Sequence, residues 1–159
     1  MMTITYPVHN GIYVNVTNRC PCACTFCLRQ NGESVYGSDS LWLEREPTVK
    51  EVCDSIDTWD LNKYNEVVFC GYGEPTERLD DLIEVAKYIK SKSDIKIRIN
   101  TNGLADLIWN EPTAPKLQGL IDTVSISLNA TNKEEYLKIV RPKFGIESYE
   151  AMLKFTKEC

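Results

Sequence analysis

Four cysteines lie within eight residues of one short stretch, "TNRCPCACTFCLR" at residues 17–29. Clustered thiols of this kind form disulfides, bind zinc, act as redox pairs or hold iron–sulfur clusters. The chain has seven cysteines, an odd number, and no visible secretory signal, so we expect a reducing compartment, the cytoplasm, where structural disulfides are rare. The single histidine, His9, is distant in sequence, so a metal site in this stretch must consist mostly of thiolate.

Three of these cysteines, Cys20, Cys24 and Cys27, follow the pattern C-x-x-x-C-x-x-C, and Phe26 directly precedes the third. Three thiolates can hold three irons of a 4Fe–4S cluster and leave the fourth iron open to another ligand. The alternative is a zinc site, which would need four ligands and could recruit Cys22. On the iron–sulfur interpretation, Cys22 is a bystander thiol or a fourth ligand during cluster assembly.

The sequence around these cysteines alternates between strand and helix patterns. Short apolar or alternating runs predict strands, and apolar stripes at helical spacing predict helices. Capping boxes are predicted at two helix starts, Thr48 with Glu51 and Thr131 with Glu134. The predicted strands cover 11–17, 66–70, 95–100 and 123–129, and the main predicted helices cover 48–59, 77–90, 104–109, 131–140 and 147–159.

This alternation predicts an α/β fold whose parallel strands are joined by right-handed helical crossovers. The 159 residues suit one domain, whereas a closed eight-unit barrel needs roughly 200 residues. We therefore expect an open, partial β/α barrel of about four parallel units that spans residues 1–159. The segment 30–47, which contains Tyr36, Leu41 and Trp42, is predicted to be a long functional loop.

Polar and glycine-rich sequences follow every predicted strand. The cysteines follow the first strand, "GYGEP" (71–75) the second, "NTNG" (100–103) the third and "SLNA" (127–130) the fourth. Because the carboxyl ends of parallel strands meet at one edge of a sheet, these sequences should lie together there. The sequence therefore predicts a functional site at that edge, built around the thiols.

These motifs together resemble the radical S-adenosylmethionine (SAM) superfamily. The cysteine spacing and the aromatic residue before the third cysteine match its signature, and "GYGEP" is similar to its "GGEP" motif with Tyr72 in place of the second glycine. The stretches "TNRCPCACTFC", "LWLEREPT" and "VVFCGYGEPTERLD" further resemble radical SAM proteins associated with TatD-family nucleases. The resemblance covers essentially the whole chain.

The resemblance implies a 4Fe–4S cluster on Cys20, Cys24 and Cys27, with the open iron chelated by the amino and carboxylate groups of SAM. It also implies contacts with the cofactor from residues at the strand ends. These residues are Phe26, Gly71, Tyr72, Gly73, Glu74, Asn100, Asn102, Ser127 and Asn129.

The same residues allow structural interpretations as well. Residues 71–76 could be a strand-to-helix turn and 102–103 a simple Asn-Gly turn, and Phe26 could simply pack against the cluster. Ser127 and Asn129 alternate with apolar residues along their predicted strand, so we expect both side chains to point inward.

The resemblance also implies an activity. A low-potential donor such as flavodoxin or ferredoxin would reduce the cluster, SAM would be cleaved to a 5′-deoxyadenosyl radical, and the radical would abstract hydrogen from an unknown substrate. A half barrel leaves one side open, so a protein or peptide substrate could close it. The alternative is a non-enzymatic iron–sulfur or zinc protein, acting as an electron carrier or scaffold, or a degenerate enzyme.

Composition argues against nucleic-acid binding and against a membrane-spanning segment. The net charge is −5, with acidic and basic residues interspersed, so no basic patch for nucleic acid is visible. The sequence contains no run of about 18 apolar residues, so we expect no membrane-spanning segment.

Overall fold

The computed structural model describes residues 1–30 and 40–159 and has one five-stranded sheet. The strands are Thr5–Val8 (β1), Gly11–Val14 (β2), Glu66–Phe69 (β3), Lys96–Thr101 (β4) and Thr123–Ile126 (β5). They lie in chain order across the sheet; β1 and β2 form an antiparallel hairpin, and every later pair of neighbours is parallel.

Helices connect the parallel strands, and two more helices follow the last strand, β5. Within the described ranges they are Val49–Asp57 (α1), Leu79–Lys92 (α2), Ala105–Trp109 (α3), Ala114–Leu117 (α4), Lys133–Val140 (α5) and Ser148–Glu158 (α6). A 3₁₀ turn at Pro75–Arg78 leads directly into α2. No helix in this part of the chain is long and apolar enough to cross a bilayer.

The predicted α/β class and the parallel order of four strands are confirmed. Over the described residues the strands form an open sheet with β1 and β5 at its two ends, and the partial barrel remains a prediction. Part of the predicted loop 30–47, including Tyr36, lies at residues 31–39, outside the described residues.

Of the two predicted capping boxes, one is confirmed and the other was placed one residue too early. Thr48 and Glu51 form the predicted capping box at α1. At α5 the predicted pair was wrong by one residue, because Asn132 is the N-cap and its side chain accepts the Glu135 amide hydrogen at 2.9 Å. Asparagine and threonine are both good N-caps, so the sequence allowed either start.

Strand β1 was missed. Its sequence contains Pro7, which lacks an amide hydrogen and so weakens any strand pattern. Because β1 has one neighbour, the missing donor can be tolerated there. The turn into β2 is made by His9 with φ 50°, a conformation that the sequence did not signal.

The main core lies between the sheet and helices α1 and α2. Val67 and Ile97 are fully buried on the sheet, and Val52, Leu82 and Ile89 pack against them from the helices. Burial of each such side chain is worth about 1.5–3 kcal/mol. This core holds the carboxyl ends of β2, β3 and β4 in fixed relation to one another.

A buried arginine, Arg78, links three distant segments beside that edge. Its Nη1 donates hydrogen bonds to the carbonyls of Val16 at 2.9 Å and Pro47 at 2.7 Å. Its Nε and Nη2 donate to Asp81 at 2.9 and 2.6 Å. Since Val16 leads into the cysteines and Pro47 precedes α1, Arg78 fixes the path of the chain on both sides of the thiols.

We predict that Arg78→Lys lowers the free energy of unfolding by about 1–3 kcal/mol, because a lysine cannot reach all of these acceptors at once. Urea unfolding measures the loss. Arg45→Lys is the matched control, since Arg45 pairs with Glu51 on the exposed surface and should change stability by less than about 0.5 kcal/mol. Equal losses in the two variants would contradict the anchoring role of Arg78.

Candidate functional site

The structure brings the predicted strand-end sequences to one edge of the sheet. The cysteine loop (residues 20–27) follows β2, and the GYGEP turn (residues 71–75) follows β3. Asn102 follows β4, and Ser127 follows β5. Because these four strands are parallel, all four sequences lie at their carboxyl ends.

Within the cysteine loop, three thiols lie together with Cys22 at the centre. The Cys22 thiol is buried and interacts by hydrogen bonding with both Cys20 and Cys24. Cys27 lies further along the loop, where its amide donates to the Cys24 carbonyl at 3.2 Å. Cysteine spacing had indicated Cys20, Cys24 and Cys27 as a set, so the central position of Cys22 is a feature that spacing did not predict.

The four thiols differ in how readily they ionise. Hydrogen bonding with Cys22 lowers the pKa of Cys24 to about 7 and also lowers the pKa of Cys20. The same contacts, together with burial, raise the pKa of Cys22, and burial raises the pKa of Cys27. The thiolate is the metal ligand, so these directions favour Cys20 and Cys24 as ligands, and they do not separate Cys22 from Cys27.

The cysteine loop is attached to the end of helix α5. The amide of Ala23 donates to the carbonyl of Val140 at 3.1 Å, and the amide of Thr25 donates to that of Ile139 at 2.9 Å. The last carbonyls of a helix have no partner within the helix. Here the loop supplies those partners, so the cysteines and α5 form one structural unit.

The residues before the loop are tied to the segment that precedes α1. The hydroxyl of Thr17 donates to Glu46 at 2.7 Å, and Arg19 pairs with the same carboxylate at 2.6 Å. Asn18 exchanges two hydrogen bonds with the backbone of Leu43, at 2.8 and 3.0 Å. These contacts fix the chain on its way into Cys20.

The GYGEP turn packs directly against residues 15–19, which precede the cysteine loop. This close approach explains the two glycines of the turn. A Cβ atom on Gly73 would lie 2.2 Å from the carbonyl oxygen of Thr17, and one on Gly71 would lie 2.1 Å from the Asn15 side-chain oxygen. The amide of Glu74 donates to the carbonyl of Arg19 at 2.7 Å. Contact with the cysteine segment therefore requires glycine at both positions, independently of any cofactor.

The aromatic side chains of Tyr72 and Phe26 have opposite environments: one is buried and the other is exposed. The Tyr72 ring is buried with Tyr6 and Leu41, and it meets Trp42 edge to face with 5.1 Å between ring centroids. Any contact of Tyr72 with a cofactor would therefore come from its backbone. The Phe26 side chain is 51% exposed, so it is available both for a cofactor contact and for packing against a bound cluster.

Glu74 follows β3, and its buried carboxylate accepts hydrogen bonds from its own turn and from the end of β4. One oxygen accepts hydrogen bonds from the hydroxyls of Thr76 at 2.7 Å and Thr101 at 2.6 Å, and the other accepts the Asn102 amide hydrogen at 2.8 Å. Burial raises the pKa of Glu74, while these hydrogen bonds oppose the rise. The side chain is thus engaged by the protein, which supports the turn interpretation of residues 71–76.

The two asparagines at the end of β4 face the site in different ways. The Asn102 side-chain nitrogen lies 3.6 Å from the Cys22 sulfur and 3.9 Å from the Cys20 sulfur, within reach for weak N–H···S hydrogen bonds. The Asn100 side-chain oxygen is buried and has no hydrogen-bond partner among the described residues. Buried polar atoms are normally paired, so Asn100 is suited to receive a donor from a bound molecule.

Ser127 and Asn129, which follow β5, are exposed, as is Ser125 on β5. β5 is the last strand of the described sheet, so no further described strand pairs with its outer edge. Asn129 adopts φ 63°, in the left-handed region, where asparagine is tolerated. These residues are therefore available to a ligand, but no contact of the described residues directs them to one.

The donor set of the loop fits an iron–sulfur cluster in its chemistry. Every cysteine in the described ranges is a free thiol, and thiolate is the usual ligand of iron in such clusters. No group of three or more His, Cys, Asp or Glu side chains in those ranges is already arranged around a metal position. Sites of this kind commonly assemble around the metal as it binds.

Comparison with known proteins identifies the family. The sequence model of the radical SAM superfamily matches residues 14–159. The chain belongs to this superfamily. The predicted resemblance is thereby confirmed at the level of the superfamily, whose members use a 4Fe–4S cluster and SAM.

The relatives are distant and longer. The chain is 27% identical over 135 residues to GTP 3′,8-cyclase of Lactiplantibacillus plantarum, and 28% identical over 135 residues to that of Limosilactobacillus fermentum. It is 25% identical over 136 residues to molybdenum cofactor biosynthesis protein 1 of Drosophila melanogaster. These matches cover 84 to 85% of the chain but 38%, 38% and 22% of the relatives.

Sequence reasoning missed several residues that build the site. Thr101 holds Glu74 in place, Asn15 approaches Gly71, and Tyr136 on α5 packs beneath the cysteine loop. Thr101 lies between two asparagines that were predicted, so its place at a strand end was the available signal. The contact between Tyr136 and the loop depends on tertiary packing and had no signal in the sequence.

We predict that Glu74→Gln lowers the free energy of unfolding by about 1–3 kcal/mol, because the new amide nitrogen must face a backbone N–H, that of Thr76 or Asn102. Urea unfolding of the metal-free protein measures this loss. Glu84→Gln, on the exposed side of α2, is the control and should be neutral within about 0.5 kcal/mol. A neutral Glu74→Gln would show that the carboxylate does not hold the two strand ends together.

Proposed function

We propose that the protein is a radical SAM enzyme whose cysteine loop binds a 4Fe–4S cluster through Cys20, Cys24 and Cys27. The observation that carries the proposal is the meeting of free thiols with the GYGEP turn at the carboxyl edge of a parallel sheet, in a chain of this superfamily. Its single domain would span residues 1–159. When bound, the cluster and SAM supply a 5′-deoxyadenosyl radical that abstracts hydrogen from a substrate.

The chain's own residues would bind and orient these groups. Asn100 offers an unpaired, buried side-chain oxygen, which suits the ammonium group of SAM. Gly71 and Gly73 are partly exposed and have no side chains, so a cofactor could approach their backbone closely. Ser127 and Asn129 present polar side chains from β5, where the methionine carboxylate or the ribose could be held.

The remaining predicted contacts are assigned more narrowly than the sequence suggested. We assign Tyr72 a backbone contact, since its ring is buried elsewhere, and Phe26 a backbone contact near the adenine on the family resemblance alone. Glu74 would act by positioning the GYGEP turn and Asn102, because its oxygens already accept hydrogen bonds from the protein.

The substrate class follows from the open side of the sheet. We propose a protein or peptide that covers the open side of the sheet beside β5, with the 39% exposed Trp42 as a further contact. Leu41, which was also expected at this surface, is buried with Tyr6 and Tyr72 and takes no part. The TatD-associated subgroup remains part of this proposal, because it rests on the quoted sequence stretches alone. The chain spans less than two fifths of the GTP 3′,8-cyclases that it matches, so their reaction is not transferred to it.

Two further conditions belong to the proposal. A low-potential donor of the flavodoxin or ferredoxin type would reduce the cluster. The protein would work in the cytoplasm, because the ligand thiols must stay reduced, and all cysteines of the described residues are free.

One observation favours a second candidate, a zinc protein. Cys22 contacts both Cys20 and Cys24, and these three thiols with Cys27 would complete the four ligands that structural zinc needs. The two candidates differ in whether Cys22 is required for the metal.

We predict that anaerobic reconstitution with iron and sulfide gives a brown protein that absorbs near about 400 nm and holds about four irons. Reduction with dithionite in the presence of SAM should yield 5′-deoxyadenosine, measured by liquid chromatography. Cys24→Ser should lose most of the iron and this product, whereas Cys22→Ser, the same change two residues away, should keep both.

Other outcomes separate the alternatives. A colourless protein that binds one zinc and loses it in Cys22→Ser would establish the zinc candidate. A brown protein that never forms 5′-deoxyadenosine would leave an electron carrier or a degenerate enzyme.

A further inference from the structure

Tyr136 is a buried tyrosine on α5 whose phenol has no place in the function proposed above. Its side chain is 0% exposed and packs in an apolar cluster with Cys22 and Val140, against which Cys20 and Cys24 also lie. In the part of the chain that the structure describes, its hydroxyl has no hydrogen-bond partner.

An unpaired hydroxyl in a protein interior is unfavourable, because the group has lost water and gained nothing in return. The ordinary pKa of a tyrosine is about 10, so the phenol is protonated at neutral pH and can act as a donor. The side chains of Cys20, Cys22 and Cys24 pack in the same cluster as Tyr136, so the missing acceptor is to be sought there.

The hydroxyl is also held at this position by the backbone. Helix α5 and the cysteine loop are joined by the hydrogen bonds from Ala23 to Val140 and from Thr25 to Ile139. A cluster held by this loop would therefore lie beside a phenol that is carried on the same structural unit.

We propose that the Tyr136 hydroxyl would donate a hydrogen bond to a sulfur of a 4Fe–4S cluster held by the cysteine loop and so raise the cluster's reduction potential. Hydrogen bonds to sulfur stabilise the more negative, reduced cluster, and they are among the features that set cluster potentials. This inference rests on the proposed function, because it requires the cluster at the cysteine loop. Tyr136 acts on the cluster and leaves the substrate untouched.

The test compares wild-type, Tyr136→Phe and Tyr149→Phe proteins, each reconstituted anaerobically and titrated through the cluster couple with redox mediators. Tyr136→Phe should have a more negative midpoint, with about tenfold less reduced relative to oxidised cluster at a fixed potential, which is 59 mV for a one-electron couple. Tyr149→Phe is the matched control. It loses the same atom from a partly exposed ring whose centroid is 5.2 Å away, and should keep the wild-type midpoint.

Urea unfolding of the cluster-free proteins separates tuning of the cluster from packing. Tyr136→Phe should be at least as stable as the wild type, because it removes an unpaired buried hydroxyl. An unchanged midpoint in a fully loaded Tyr136→Phe protein, or a less stable cluster-free variant, overturns the inference and leaves the proposed function standing. A wild-type protein that binds no iron–sulfur cluster overturns both.

Discussion

The buried carboxylate of Glu74 accepts hydrogen bonds from Thr76, Thr101 and the amide of Asn102, and so joins the ends of β3 and β4. Asn102 in turn directs its side-chain nitrogen at the sulfurs of the cysteine loop. The loop's position relative to the sheet therefore depends on a carboxylate that is removed from solvent. The glutamate of this motif therefore stabilises the fold at the site even when no cofactor is bound.

Two further constraints hold the loop from its other sides. The backbone of the GYGEP turn lies so close to the segment before Cys20 that Gly71 and Gly73 admit no side chain. The end of α5 pairs its last carbonyls with Ala23 and with Thr25. The thiols are thus held by a turn, a strand end and a helix end, which leaves their sulfur atoms free to rearrange around iron while the backbone stays in place.

Much of this arrangement could be predicted, because it follows from local patterns. Alternating strand and helix periods give a parallel sheet, and a parallel sheet brings its strand ends to one edge. The missed features depend on tertiary contacts or on close alternatives. β1 contains Pro7, α5 begins at Asn132 one residue after another good cap, and the Tyr72 ring turns into a cluster that no spacing rule identifies. The orphan hydroxyl of Tyr136 is visible only once α5 is packed beneath the thiols.

The central claim is that three thiolates hold the cluster, that one iron stays open for SAM, and that Cys22 stands aside. Mössbauer spectroscopy of the ⁵⁷Fe-reconstituted protein, recorded with and without SAM, addresses it directly. We expect one iron of the cluster to change its isomer shift when SAM is added, in the wild type and in Cys22→Ser alike. Four equivalent thiolate-bound irons that do not respond to SAM in the wild type would contradict the claim and make Cys22 the fourth ligand.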